Sequence, residues 1–304
     1  MNLKNLSDEA LHQQTLDLSR EERRLQIEVL HHLCETERRM LFARRGHSSL
    51  LDYCVAELGY TRSAGQRRVD SMRVLKQVPE IEARLSDGSL SLTHLSEAQT
   101  FFRKEGIREP EKKREVLEQL FGQSVMQAQR TLMSLTEQLE RHIPERVRIV
   151  SEELTEVRFV IDQTTLAQLE ELKALLSHAR PGMSLKDAFK YGLVLAINKH
   201  RVKPPKQKSL VPAPVPETSS ASISAQVRWE VYHRDGGVCT YVDPASGRKC
   251  NSKNYLELDH VKPRAHGGAN TPENLRLRCR AHNRLAAIEV LGHARIAKHV
   301  PALR

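Results

Sequence analysis

The spacing of apolar and polar positions divides the chain into stretches of different period. Up to residue 145 the apolar positions recur at helical intervals. Leu25, Val29 and Leu33, with Leu30 and Cys34 beside them, make one stripe. Ser19-Arg20-Glu21-Glu22 ahead of it is a capping-box pattern, in which a hydroxyl and a carboxylate satisfy the first free backbone amides. One long amphipathic helix is therefore expected, ending near Gly46. A shorter helix after Ser48 should stop at Gly59, and Thr61 can cap a third that carries Arg62, Arg67, Arg68 and Arg73. Helix, glycine-containing turn, helix is the outline of a helix-turn-helix, and equally of an ordinary helical hairpin with a solvated arginine face. Pro79 at a helix start, Asp87-Gly88 as a stop, and helical spans over residues 91–105, 110–121 and 124–142 continue the pattern.

Between residues 156 and 162 the period shortens to two. Val157, Phe159 and Ile161 alternate with Glu156, Arg158 and Val160, which predicts a short strand. Two amphipathic helices follow, marked by Leu166, Leu169, Leu172 and Leu176 and then by Leu185, Phe189, Leu193 and Ile197, with Pro181-Gly182 between. Strand, helix, turn, helix resembles the ribbon-helix-helix arrangement, whose strands pair across a homodimer and enter the major groove. A strand packed inside the helical region is the other reading. Residues 201–225 carry Lys203, Lys206, Pro212, Pro214 and Pro216 in a Ser/Thr/Ala-rich run that cannot bury a core, so they are expected to be a flexible linker. The expected class is a mainly α, multidomain chain: an all-helical domain over 1–145, a strand-helix-helix segment over 146–200, the linker over 201–225 and a small C-terminal domain over 226–304.

Charge sharpens this division. The formal net charge of the 304 residues is +10. Residues 1–200 hold 30 Lys/Arg against 30 Asp/Glu, residues 201–225 hold four against one, and residues 226–304 hold fourteen against seven. The whole excess lies in the last third, which favours a nucleic-acid face there over a merely solvated surface. No apolar run is long enough to span a bilayer, no secretion signal opens the chain at Met1, and five cysteines are an odd number. A cytoplasmic protein without membrane partners is expected, and in a reducing compartment clustered cysteines more often bind metal than form disulfides.

Three of those cysteines lie in the last 79 residues. Cys239 and Cys250 flank a turn-rich loop, and Cys279-Arg280-Ala281-His282 offers two more donors at close spacing. Three thiolates and an imidazole suit a tetrahedral structural Zn²⁺, a useful staple for so small a domain. Core cysteines are the plainer alternative, and water could stand in for His282. Beside this set lies a second one. Leu256 and Leu258 alternate on a strand that ends in Asp259-His260; Gly267-Gly268 marks a turn; Leu275 and Leu277 alternate on a return strand that runs into a helix from about Arg280. Asn274 follows Asp259 by fifteen positions and Asn283 follows by nine more. A strand-loop-strand-helix unit of this kind can hold a carboxylate, an amide and an imidazole around one hard cation.

Residues 228–288 resemble the HNH endonuclease family, the ββα-metal or His-Me finger fold. Arg234-Asp235-Gly236-Gly237-Val238-Cys239, Leu258-Asp259-His260-Val261-Lys262-Pro263, Gly267-Gly268, Asn274-Leu275 and His282-Asn283 carry the resemblance, in this order and spacing. The resemblance implies that His260 is the general base toward the attacking water. It implies that Asp259 and Asn283 hold one Mg²⁺, Mn²⁺ or similar ion at the scissile phosphate, and that Asn274 holds the loop near His260 in register. Lys262, Arg264, Arg276, Arg278, Arg280 and Arg284 would offer phosphate contacts, a few of them to one groove. His282 could serve as zinc ligand or second imidazole; neighbouring helical side chains point about 100° apart, so it can face the zinc while Asn283 faces the catalytic ion. The implied activity is hydrolysis of DNA phosphodiesters, with double-stranded DNA as the expected substrate. The competing reading is a non-catalytic, zinc-containing DNA-binding or regulatory protein.

Overall fold

The computed structural model describes residues 3–204, 222–300 and 303. Most of the expected linker, residues 205–221, lies outside them. Contacts gather the chain into two compact units, Met1–Thr131 with Pro204–Arg304, and Leu132–Lys203.

The first unit opens with α1 (Asp8–Arg38), α2 (Leu41–Arg44), α3 (Leu50–Ala56), α4 (Arg62–Gln77), α5 (Glu82–Ser86), α6 (Leu92–Glu105), α7 (Pro110–Glu118) and α8 (Val125–Ser134). The long first helix starts earlier than the Ser19 pattern suggests, because Ser7 Oγ accepts from the Ala10 N–H at 3.2 Å and caps it. Ser19 sits inside the helix and accepts from Arg23 Nη1. The helix also ends earlier, where Met40 turns into the left-handed region at φ 55°. Its buried stripe is Ile27, Leu30 and Leu33, whereas Leu25 stays 47% exposed. Two stripes at helical spacing compete in this sequence, and the one that α4 and α5 cover is the one that is buried.

The helix carrying the arginines is the centre of the bundle. Gly65, Val69, Asp70, Ser71, Met72, Val74 and Leu75 of α4 are buried, against α1, α3 and α6. Of its arginines, Arg68 lies over the Tyr60 ring and Arg73 pairs with Glu37 of α1, while Arg62 is exposed. A Cβ at Gly65 would lie 3.1 Å from Leu51 Cδ1 and 3.3 Å from Cys54 Cβ. The missing side chain is what lets α3 cross so closely. Thr61 caps α4 and Ser91 caps α6, and each cap of this kind is worth about 1 kcal/mol.

The C-terminal part of this unit contains α11 (Ala225–Arg234), β3 (Leu256–His260), β4 (Leu275–Cys279), α12 (Arg280–Leu291) and α13 (His293–Ala297). The intervening β1 (Arg146–Ile149), β2 (Thr155–Arg158), α9 (Gln163–Leu175) and α10 (Leu185–His200) belong to the second unit. The two strands are antiparallel, with Asp259 opposite Arg276 and His260 opposite Leu275. Val231 of α11 packs on Leu275 and Leu277, with Leu256 and Leu258 beside them. Arg234 fixes that packing by donating to the carbonyls of Pro272 and Leu275 at 2.6 and 2.7 Å, and Asp235 accepts from the Leu277 N–H.

This part rests directly on the helical bundle. The α2 helix packs against α12. Arg248 reaches Glu57 Oε1 at 3.1 Å and His47 Nε2 at 3.0 Å, and a Cβ at Gly46 would meet its Cδ at 3.1 Å. Donation from His47, Arg45 and Arg248 holds the Glu57 carboxyl down to about 2. His293 Nε2 lies 2.9 Å from the Arg38 carbonyl.

The second unit holds β1 (Arg146–Ile149), β2 (Thr155–Arg158), α9 (Gln163–Leu175) and α10 (Leu185–His200). The strand expected over 156–162 is shorter than that, because Asp162 already caps α9 by accepting from the Thr165 N–H at 2.7 Å. It pairs within the chain, with β1, which the sequence reading passes over.

Candidate active site and metal centre

Cys239 and Cys250 come from the loop between α11 and β3, Cys279 from the end of β4, and His282 from the first turn of α12. Their donor atoms all lie within 4.8 Å of one another. Cys250 Sγ is 3.9 Å from Cys279 Sγ, and His282 Nδ1 is 3.4 Å from Cys239 Sγ and 3.2 Å from Cys279 Sγ. A tetrahedral zinc ion with bonds of about 2.0–2.3 Å has donor separations of roughly 3.5–3.8 Å, so these four groups fit one. Their chemistry fits as well. Contacts from Cys250 and Cys279 drive the Cys239 thiol toward thiolate. Burial lowers His282, while hydrogen bonds to Cys239 and Cys279 raise it further, to about 9. A buried group of thiols and imidazole that compete for protons is well suited to share a cation.

The imidazole is held from outside this set. His282 Nε2 lies 2.9 Å from the Ala43 carbonyl of α2, which leaves Nδ1 toward the sulfurs. Tyr241 stacks on the ring at 3.9 Å between centroids and donates through its hydroxyl to the Arg44 carbonyl. No spacing rule points to residue 43 from residue 282; this contact is visible only in three dimensions.

The second set lies on the same hairpin. Asp259, His260, Arg264, Arg276 and Asn283 line a cavity of about 340 Å³, floored by Ala286, Ala287 and Val290 of α12. Asp259 is buried and its Oδ2 accepts from Arg276 Nε at 2.7 Å. Asn283 Nδ2 donates to Glu257 Oε2 at 2.5 Å, so its amide oxygen faces away from Glu257. His260 Nε2 is 2.8 Å from Asn270 Oδ1; with the proton on Nε2, the Nδ1 lone pair is left available. Asn274 closes the loop that follows. Its Oδ1 accepts from the Lys262 N–H at 2.8 Å, and its Nδ2 donates to the carbonyls of Lys262 and Ala269 at 3.1 and 2.9 Å. A Cβ at Gly268 would come within 1.7 Å of the Lys262 carbonyl oxygen, so only glycine fits.

These residues fall in a segment with a recognised pattern. Residues 247–285 match the family model for HNH endonuclease. No curated protein and no solved structure matches the chain. The HNH segment spans β3, β4 and the start of α12, and so contains Asp259, His260, Asn274, Asn283, Cys250, Cys279 and His282.

The basic residues around the HNH segment separate into groups. Lys262 and Arg264 are exposed on the loop. Arg280 is exposed, lies over the Tyr255 ring and pairs with Glu257. Arg276 is engaged with Asp259. Arg278 lies over the Tyr241 ring, with burial and Arg276 lowering its pKa and Cys239 raising it. Arg284 is half-buried, and that burial lowers its pKa. Glu257, Asn270 and Arg276 as an Asp259 partner are the site features that the sequence reading did not single out. Glu257 could have been found, since it shares a strand face with Asp259 two positions on.

Proposed function

We propose that the C-terminal domain is a ββα-metal nuclease that hydrolyses phosphodiester bonds of double-stranded DNA, with structural zinc on Cys239, Cys250, Cys279 and His282. The observation that carries this reading is the cavity shared by Asp259, His260 and Asn283 within the segment that matches HNH endonuclease. His260 takes the proton of the attacking water at Nδ1, while Asn270 holds the other nitrogen. Asp259, through the oxygen that Arg276 does not engage, and Asn283, through its amide oxygen, are the hard donors that would hold Mg²⁺ or Mn²⁺. When bound, the ion stabilises charge on the phosphate and on the leaving oxygen. Asn274 is a positioning residue for the loop. Lys262, Arg264 and Arg280 are the exposed cations best placed to meet phosphates, whereas Arg276, Arg278 and Arg284 balance charge inside the domain.

The test is nicking of supercoiled plasmid by the purified protein with Mg²⁺ or Mn²⁺. The expected result is metal-dependent nicking that falls at least about 100-fold in His260→Ala, with zinc content and circular dichroism unchanged. Equal nicking by His260→Ala would remove the assignment of the base. Salt-sensitive DNA binding without any cleavage would leave a binding module in place of an enzyme.

A further inference from the structure

The two strands and two helices of the Leu132–Lys203 unit bury almost nothing. Among the described residues of β1, β2, α9 and α10, Ala188 alone is buried. The apolar side chains for a core are present but uncovered. The register sets Val147 opposite Val157 and Ile149 opposite Thr155, so Val147, Ile149, Val157 and, by alternation, Phe159 share one face of the hairpin. Phe159 meets Phe189 of α10 at 5.8 Å between ring centroids, which joins this face to the apolar side of that helix. Ile149 is nevertheless 80% exposed, Val147 69% and Val157 57%. Exposed apolar side chains gathered on one face in this way mark an interaction surface. A two-stranded hairpin is marginal in water by itself.

We propose that a second copy of this chain covers this face, with β2 pairing antiparallel to β2 of the other copy about a two-fold axis through Val157. The backbone directs the pairing to that edge. The Val150 N–H bonds the Leu154 carbonyl at 2.9 Å. By the alternation of an antiparallel ladder, Glu156 and Arg158 then spend their backbone groups on β1, while Thr155 and Val157 turn theirs to the outer edge. Among the described residues that edge has no strand on it, since the sheet is β1 and β2 alone. Side chains agree with the same register. Val157 meets its own copy on the apolar face, and on the opposite face Glu156 stands across from Arg158 of the partner subunit, twice over by symmetry. The equivalent pairing of β1 about Val147 would oppose Arg146 and Arg148, a like-charge contact. The result is a four-stranded sheet whose apolar face extends onto two α10 helices.

This inference stands without the nuclease reading; if both hold, the particle carries two HNH segments and can cut two strands in one encounter. The test is the mass of the full chain in solution by light scattering at micromolar concentration. The expected wild-type mass is twice that of the chain, and Val157→Asp should return it to one. A monomeric wild type, as would follow if the rest of the same chain covered the face, overturns the proposal, as does an intact dimer of Val157→Asp. Should Val157→Asp not fold, the charge exchange decides. Glu156→Arg alone should weaken the dimer at least tenfold, and Glu156→Arg with Arg158→Glu should restore it. Equal dimerisation of single and double variants overturns the register and the interface together.

Discussion

Three histidines show how one contact decides what a side chain can do. His260 and His282 each commit Nε2 to an oxygen, Asn270 Oδ1 in one case and the Ala43 carbonyl in the other, and so each presents Nδ1 to its own chemistry. His94 is used differently. Its Nδ1 accepts from the Ser91 N–H at 3.1 Å and completes the cap of α6, and burial lowers its pKa. The unfolded chain, with an ordinary histidine near 6.5, therefore binds a proton that the folded chain resists. Folding stability should be intact above that value and should fall as pH drops below it toward the lowered folded value. Chemical denaturation at pH 7.5 and 5.5 checks this: His94→Gln, which keeps an acceptor without the titration, should lose less stability over that interval than wild type. An equal loss in both would exclude His94 as a source. At this scale the sequence was most legible where chemistry imposes spacing. Asp259-His260 and Cys279 to His282 stand out in the sequence because they are close along one element, and the structure brings the first pair to one cavity and the second into one donor cluster. Asn270 and Ala43 do not, because nothing local requires them.

Among elements, legibility followed burial and punctuation. Thr61 and Ser91 were readable as helix starts because a capping hydroxyl acts within its own turn. The strand β1 was missed because all its side chains are exposed, which leaves no buried face to impose a period. The stripe read for α1 held Leu30 and Leu33, which are buried, but took in Leu25, which is exposed, because the final choice of face belongs to α4 and α5. The loop from β3 to β4 joins both kinds of information. Gly267-Gly268 was readable as a turn, but the reason for the second glycine is the Lys262 carbonyl pressed against it. Gly268→Ala should push that carbonyl off Asn274 Nδ2 and loosen the loop after His260. Metal-dependent nicking is expected to fall about tenfold or more, through kcat, with zinc content unchanged, since the cysteines and His282 lie outside the loop. Unaltered kcat would show that the loop tolerates the methyl and that Asn274 does not position His260.

At the scale of the first unit, the Cys239–Cys250–Cys279–His282 set and the helical bundle share a boundary. His282 stands between the three sulfurs and the Ala43 carbonyl, Tyr241 stacks on its ring and reaches Arg44, and Arg44 pairs with Glu289 of α12 at 3.5 Å. Filling the Cys239–Cys250–Cys279–His282 set with zinc would therefore fix the ring that α2 rests on. Metal binding of this kind contributes directly to folding, on the order of 10 kcal/mol in small zinc domains. Its removal should be felt beyond the donors. Chelation is expected to lower the thermal midpoint and to raise amide exchange both in residues 239–250 and in residues 41–47, ahead of exchange in α6, whose core of Leu95, Ala98, Phe101 and Phe102 lies away from this boundary. Hydrogen exchange with and without chelator separates the outcomes. Faster exchange confined to 239–250, with 41–47 unchanged, would mean that α2 holds its place on the bundle alone and that the His282–Ala43 bond transmits nothing.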